Sequence, residues 1–286
     1  EKPIHFWLWH ASNHEEVDML QRVEVRSTTN ELLYTFGVME NRQDDYVIKS
    51  ADGLDPVKSN FDTFEDSMGD GVVSNGFRVS ARSLILEIEY SPISPLSVEE
   101  RRRNLYRNLY QGSNVRLFFV FTSDTLYIDA YVEEFSAPLF TSQPSVKISF
   151  LCPDPYFSRN ELQVGTFNGG ESVSGFDIGT ARAGFTIEIP YVAGLGFLEV
   201  RWTGRSALRW NIADWTPDSR YQLSTINGDR YLHIKKGRYT TNVLHRIVRG
   251  DLGMSLGGGN RYLRVLSLND VDFTYKVTYR AKEVGL

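Results

Sequence analysis

The chain has 286 residues and a formal net charge of −5; 41% of the residues are hydrophobic and 13% are aromatic. This composition excludes a disordered polymer, and the length is comfortable for two hydrophobic cores. The single cysteine, Cys152, excludes an intramolecular disulfide framework and is expected to be a small buried apolar residue. The sequence has no run of about 18 apolar residues, so no membrane span is predicted. The opening EKPIHFWLWH has only a short apolar run and is not predicted to be a signal peptide.

The charge is divided unevenly between the two halves of the chain. Residues 1–158 contain 14 basic and 24 acidic residues, whereas residues 159–286 contain 17 basic and 12 acidic residues. Two halves of opposite net charge indicate two surfaces that face different neighbours. The alternative explanation is a chance variation in surface composition along the chain.

Alternating apolar residues predict that most of the first half forms β-strands. The predicted strands are residues 4–9, 17–26, 31–40, 46–50, 82–90, 115–121 and 125–135, the last two joined as a hairpin. Residues 57–76 have no clear period and are rich in acidic residues and glycine, which predicts a long exposed loop or an irregular hairpin arm. Gly53 and Pro56 predict a turn just before this segment.

One helix is predicted, over residues 97–111. Ser97 and Glu100 form a capping box, Leu105 and Leu109 share a face, and Gly112 is placed to end the helix. Contact with phosphate is one interpretation of the arginines at 101–103 and 107; a solvated helix face or an ion pair between subunits is favoured, because the surrounding domain is acidic.

The segment 144–157, PSVKISFLCPDPYF, divides the chain. Its first part alternates as a strand, and Pro153 and Pro155 cannot continue a ladder, so the strand is predicted to end near Cys152. We therefore predict a first domain at residues 1–157 and a second at 158–286. The first domain is expected to be an α+β or β-barrel-like unit of about eight strands with one helix.

Short strands separated by turn residues predict an antiparallel β-sandwich of the galectin or jelly-roll kind for the second domain. The predicted strands are residues 184–192, 197–203, 207–215, 221–226, 231–236, 242–248, 260–268 and 271–281. The pair Asn227–Gly228 suits a tight hairpin turn, and four aromatic or apolar residues of the last strand share one face: Phe273, Tyr275, Val277 and Tyr279.

No catalytic, metal or cofactor site is predicted. His10 and His14 are four residues apart but have no accompanying cysteine or glutamate-bearing helix, and no nucleophile motif is present. A binding site for a glycan is one interpretation of Trp202, Trp210 and Trp215, since sugars stack on aromatic rings; filling of the sandwich core is the other.

Taken in order, these signals resemble the distal tail protein family of long-tailed, non-contractile bacteriophages. The resembling stretches are YVIKSADGLDP (46–56), GDGVVSNGFRVSARSLILEI (69–88), the helix at 97–111 and, most specifically, VKISFLCPDPYF (146–157). The second half matches in length and β character alone.

The resemblance implies a structural virion protein at the distal end of the tail, assembled in the host cytoplasm and without enzymatic activity or cofactor. It implies that the first domain, with a long β arm and one helix, forms a homo-hexameric ring. This ring joins the major tail tube protein to the tail hub and lets DNA pass without specific binding. It also implies an outer domain like a galectin or carbohydrate module, so attachment to a host glycan is the alternative function.

Overall fold

The computed structural model describes residues 19–38, 44–65, 72–138, 144–202, 205–212, 215–250, 252, 254–256, 262–269 and 271–286. The predicted strand at residues 4–9 and both His10 and His14 lie outside the described residues. In the described part of the chain, no helix is long and apolar enough to cross a membrane.

The described residues of the first half of the chain form nine strands and a helix, close to the predicted elements. They are β1 (Leu20–Ser27), β2 (Leu32–Gly37), β3 (Tyr46–Asp52), β4 (Ser59–Glu65), β5 (Val72–Val79), β6 (Arg82–Tyr90), α1 (Val98–Asn108), β7 (Asn114–Phe121), β8 (Thr125–Ser136) and β9 (Ser145–Cys152). The predicted hairpin of β7 and β8 is confirmed, since the two strands pair antiparallel from Val120 opposite Thr125.

Seven of these strands close into a barrel. The hydrogen-bonded order is β8-β7-β1-β2-β3-β6-β9, and β9 pairs again with β8. All neighbours are antiparallel except β2 and β3, which pair in parallel. The alternating apolar residues of each strand fill the interior, including Val25, Leu86, Leu117 and Phe150, so the predicted barrel-like domain is confirmed.

The helix α1 covers part of the barrel, and its predicted capping box is present. The Ser97 hydroxyl accepts from the backbone N–H of Glu100, and the Glu100 carboxylate accepts from the backbone N–H of Ser97. Leu105 and Leu109 are fully buried in the barrel core. The helix ends at Asn108, three residues before the predicted end.

The second half forms an antiparallel sandwich, as predicted. The strands described from residue 157 onward are β10 (Phe157–Arg159), β11 (Gln163–Asn168), β12 (Phe185–Pro190), β13 (Phe197–Trp202), β14 (Arg205–Asn211), β15 (Ser219–Ile226), β16 (Asp229–Lys236), β17 (Tyr239–Asn242), β18 (Ile247–Gly250), β19 (Leu263–Ser267), β20 (Thr274–Tyr279) and β21 (Lys282–Glu283). A six-stranded sheet, β11-β20-β12-β15-β16-β17, and a four-stranded sheet, β18-β14-β13-β19, enclose a second core. Gly228 turns β15 into β16 with φ +81°, and the shared face of Phe273, Tyr275, Val277 and Tyr279 is buried in that core.

Two short strands belong to the barrel sheet although they lie at or beyond the predicted boundary. β10 pairs with β8, and β21, near the end of the chain, pairs with β10. The last described residues therefore return to the first core, against which Leu286 packs. The division into residues 1–157 and 158–286 stays a prediction.

Candidate assembly surface

The predicted hairpin arm is formed by β4 and β5, which leave the barrel between β3 and β6. The two strands pair with each other from Ser59 opposite Val79 and form a two-stranded sheet of their own. With seven and eight residues per strand, the arm is about 20–25 Å long at the usual rise of a strand. We call Ser59–Val79 the arm.

The arm exposes aromatic side chains that the described part of its own chain leaves uncovered. Phe61 and Phe77 are directly opposite each other, with ring centroids 5.8 Å apart, and they are 64% and 56% exposed. Phe64 is also exposed. Because an isolated two-stranded hairpin is marginal in water and its outer edges carry unpaired backbone groups, the arm is suited to a partner that covers it.

The root of the arm, in contrast, is fixed by a buried arginine. Arg82 is 1% exposed, and its guanidinium lies 4.6 Å from the centroid of the Phe157 ring. It donates hydrogen bonds to four backbone carbonyl oxygens, those of Gly53, Asp55 (2.7 Å), Pro155 (2.7 Å) and Val284 (2.5 Å). One side chain therefore ties the start of the arm, the proline-rich exit from β9 and the end of the chain.

The strap, residues 282–286, lies against this root. Lys282 pairs with Asp154, and Glu283 accepts from Arg159 at 2.8 Å. The backbone N–H of Leu286 donates to the carbonyl oxygen of Leu54 at 3.1 Å. These contacts attach the last part of the chain to the barrel beside the arm.

Cys152 lies in the barrel core near Arg82, as the sequence predicted. The side chain is fully buried, and burial raises the pKa of the thiol to about 12 in spite of the nearby Arg82 charge. Because the thiolate is the reactive form, we expect Cys152 to resist thiol reagents while the barrel is folded.

Exposed aromatic side chains also lie on α1 and just after its end. Tyr106 is 44% exposed and lies 4.7 Å from the Phe135 ring, and Tyr110 is 62% exposed. Tyr90 and Arg102 lie beside them, and burial raises the pKa of Tyr90 to about 12 while the charge of Arg102 opposes that rise. We call Tyr90, Arg102, Tyr106, Tyr110 and Phe135 the helix patch.

The arginines of α1 are placed differently from the prediction. Arg101 is buried and donates from Nη1 to the carbonyl oxygens of Ser91 (2.7 Å) and Asp45 (3.0 Å). Its guanidinium also lies 5.1 Å from the Tyr90 ring centroid. Arg101 is therefore a structural residue that fixes α1 on the barrel, whereas Arg103 and Arg107 are exposed as predicted.

The three tryptophans of the glycan prediction fall in different environments. Trp210 is fully buried, with its ring 6.5 Å from Tyr221, so it fills the sandwich core and has no face for a sugar. Trp215 lies 5.1 Å from the same tyrosine and is partly buried, as is Trp202. Glycan binding stays a prediction, and it now concerns Trp202 and Trp215.

Sequence reasoning missed the roles of Arg82, Arg101 and the strap. The partners of Arg82 come from residues 53 to 284, so no local pattern indicates them. Among the described residues, no cluster of three His, Cys, Asp or Glu side chains could hold a metal ion.

No protein-family model and no curated protein matches the chain significantly. Among solved structures, the Dit protein of phage SPP1, described as a paradigm of the hub adsorption apparatus in phages that infect Gram-positive bacteria, has a TM-score of 0.64 and 13% identity. The match covers 91% of this chain and 98% of that chain. A chain of the phage P2 baseplate in its activated conformation with Ca has a TM-score of 0.52 and 9% identity, and the match covers 94% and 100% of the two chains. The chain therefore has the fold of the SPP1 Dit protein over nearly its whole length, which confirms the resemblance to distal tail proteins at the level of the fold.

Proposed function

We propose that the chain is a structural virion protein of the distal end of a long, non-contractile phage tail. Six copies form a ring that joins the tail tube to the baseplate hub. The observation that carries this proposal is the arm, whose Phe61–Phe77 pair is exposed on a hairpin that pairs with no other strand of the described chain. The likeness to the SPP1 Dit protein, which spans 98% of that chain, supports it.

A ring requires that each copy present two different surfaces that fit each other. When one surface of a copy contacts a different surface of the next, the contact repeats head to tail, and it closes if the rotation permits. The arm supplies one such surface, because it projects from a root that Arg82 holds in place. A fixed root keeps the direction of the arm constant from copy to copy.

The charge of the two halves suits the faces of such a ring. Residues 1–158, with 24 acidic and 14 basic residues, would line a conduit that repels DNA phosphates and lets the genome pass. The tail tube protein and the tail hub are the expected partners on the two sides of the ring. The role is structural, and no chemical step is assigned to the protein.

Mass measurement and imaging of the purified chain test this proposal. We expect particles near six times the 32.7 kDa chain mass, seen by negative-stain microscopy as six-fold rings with an open centre. The matched control is Tyr239→Ser, which changes an exposed tyrosine of β17 in the sandwich and should leave the rings intact. A single-chain particle, both alone and with the tail tube protein added, would contradict the proposal.

Glycan binding by the sandwich is the second candidate, favoured by the partial exposure of Trp202 and Trp215. The excess of basic residues in 159–286 suits an anionic envelope. Binding of the full chain to host cell walls should weaken as salt rises and should weaken further in Trp215→Ala. Absence of binding, or binding indifferent to salt, would remove this candidate.

A further inference from the structure

The four-stranded sheet of the sandwich carries an outward-facing arginine on each of its strands. In the strand order β18-β14-β13-β19, the inner face of the sheet supplies Leu198, Val200 and Leu208 to the second core. Side chains that alternate with these point outward, and paired residues of neighbouring strands share a face. The outward arginines, in that strand order, are Arg249, Arg209, Arg201 and Arg264. We call these four residues the arginine face.

Two pairs of these arginines lie directly opposite each other on neighbouring strands. Arg201 of β13 is the register partner of Arg264 in β19, and Arg209 of β14 is the register partner of Arg249 in β18. Like charges at directly opposite positions destabilise an antiparallel pair. Two such pairs on one sheet do not help the sandwich to fold, so they indicate a role in contact with another molecule.

A buried carboxylate fixes two of the guanidinium groups. The Glu199 side chain is 1% exposed and accepts from Nε of Arg201 at 2.5 Å and from Nε and Nη2 of Arg209 at 2.8 and 2.5 Å. Burial alone would raise the pKa of Glu199, but hydrogen bonds and charge from the two arginines outweigh burial and lower it. Arg201 and Arg209 remain 39% and 34% exposed. Both are therefore held in place and still open to a ligand.

One carboxylate does not balance the arginine face. Glu199 is the only acidic residue of the four strands. Nε of Arg264 donates to the carbonyl oxygen of Gly170, which is a neutral acceptor. Arg249 is exposed and forms no ion pair with the described residues. Four arginines against one glutamate leave three positive charges uncompensated on a face about 14 Å wide, since neighbouring strands lie about 4.8 Å apart.

A phosphate group on a sugar has the charge and the shape that this face requires. A phosphate monoester carries about −1.5 to −2 charge at pH 7 and has three strong acceptor oxygens. Guanidinium groups on two neighbouring strands can approach these oxygens from two sides, each through paired N–H donors. A carboxylate has a single charge and two oxygens in one plane, which one guanidinium group can occupy. A neutral sugar would leave the excess charge unmatched.

We propose that the arginine face binds phosphate groups of a phosphorylated glycan of the cell envelope. Each opposed pair, Arg201 with Arg264 and Arg209 with Arg249, contacts one phosphate group. The occupant follows from charge complementarity. This inference rests on the second candidate function, glycan binding by the sandwich. It specifies the chemical class of the glycan and a site separate from Trp202 and Trp215, which pack against the core.

Binding of the full chain to fluorescent dextrans tests the chemical class. The probes are phosphorylated dextran, carboxymethyl dextran with the same number of charges per sugar, and unmodified dextran, compared by microscale thermophoresis. We expect phosphorylated dextran to bind at least about tenfold more tightly than carboxymethyl dextran and to bind more weakly as salt rises. Equal affinity for the two charged dextrans would overturn the phosphate assignment in favour of an acidic carboxylate partner. Equal binding of unmodified dextran would overturn it in favour of a neutral glycan.

The variant Arg249→Gln tests the location, because it removes an exposed charge and leaves both partners of Glu199 in place. Its matched control is Arg238→Gln, which removes an exposed arginine from the turn between β16 and β17 in the other sheet. We expect Arg249→Gln to raise the dissociation constant for phosphorylated dextran at least about fivefold and Arg238→Gln to raise it less than about twofold. Equal weakening in the two variants would show attraction to the general positive charge and overturn the site.

The melting temperature separates a loss of binding from a loss of folding. Arg249→Gln should not lower it, because the change removes repulsion between Arg249 and Arg209. A lowered melting temperature would show that Arg249 contributes to folding and would contradict the inference.

Binding of the same chains to host cell walls separates failure of this site from failure of the candidate function. Wall binding without binding to phosphorylated dextran would refute the arginine face and leave glycan binding by the sandwich. Absence of both would refute the two together. Wall binding that is weakened in Arg249→Gln and retained in Arg238→Gln is the result we expect.

Discussion

The root of the arm and the arm itself are adjacent in the chain, yet they meet opposite physical requirements. At the root, a guanidinium that is almost fully buried is matched by the carbonyl oxygens of Gly53, Asp55, Pro155 and Val284. On the arm, Phe61 and Phe77 remain in water. The root is complete within one chain, whereas the proposed ring requires a partner to cover the arm. In that proposal, folding and assembly depend on neighbouring but separate residues.

The largest effect is expected at the root, from Arg82→Met. Methionine keeps an apolar side chain but removes all the donors, so one buried carbonyl oxygen, that of Pro155, and three partly buried ones lose this partner. We expect the free energy of barrel unfolding to fall by about 3–5 kcal/mol, since an unpaired buried acceptor costs about 1–3 kcal/mol. The rate of Cys152 labelling in a urea series measures it, because the thiol reacts when the barrel opens.

The control for this change is Arg78→Met, which removes an exposed arginine from the arm. It should alter the unfolding free energy by less than about 0.5 kcal/mol. Equal losses of unfolding free energy in Arg82→Met and Arg78→Met would show that the root contributes no more to folding than the arm does.

The next largest loss of stability is expected from replacing Gly53, a glycine at the root of the arm. Gly53 and Gly112 both have φ +85°, but a Cβ at position 53 would overlap the carbonyl oxygen of Ser83, whereas a Cβ at position 112 meets nothing within 4 Å. The cost of the left-handed backbone is thus common to Gly53→Ala and Gly112→Ala. We expect Gly53→Ala to lower stability by about 1–3 kcal/mol more than Gly112→Ala, measured by the same labelling. Equal losses of stability in the two variants would show that a Cβ at position 53 meets no close contact with Ser83.

A smaller and pH-dependent effect is expected inside the barrel wall, at Glu24. Burial alone would raise the pKa of Glu24, but hydrogen bonds from Arg26 and Arg22 outweigh it, and the pKa is lowered. A lowered pKa means that the carboxylate stabilises the fold at neutral pH and that this contribution is lost as pH falls through the folded-state value. Glu24→Gln should therefore cost about 1 kcal/mol or less at pH 7, and the difference from the unchanged chain should shrink in acid.

Urea unfolding of Glu24→Gln and the unchanged chain at several pH values measures this difference. Asp62→Asn, which removes an exposed carboxylate from the arm, is the control and should show no such pattern. If the difference in unfolding free energy grew in acid, the pKa of Glu24 would be raised by folding and not lowered.

Local patterns in the sequence were sufficient to predict the elements that have an apolar and a polar face. The strand predicted at residues 82–90 has the bounds of β6, and the helix begins where Ser97 and Glu100 placed it. These signals work because one face of each element is buried and the other is wet. The arm has two wet faces and therefore no period, which is why it was predicted only as a loop or an irregular arm.

The roles that the sequence did not indicate have non-local causes. Arg82 and Arg101 each bind carbonyl oxygens from distant segments, so their burial depends on the complete fold. Trp210, in contrast, follows Leu208 by two residues, and both are buried on one face of β14. That alternation favours a core position for Trp210 over a sugar site, and it was visible in the sequence.

The smallest effect on folding, and the sharpest test of the comparison, is expected on the arm itself. Phe61→Ser with Phe77→Ser removes two large apolar side chains, a change that costs several kcal/mol in a core. Because both rings are exposed in the single chain, we expect barrel stability to change by less than about 0.5 kcal/mol, while assembly is lost in the mass measurement. A large loss of barrel stability in the urea series would show that the arm packs against its own chain. The distinction between a root built for folding and an arm built for assembly would then fail.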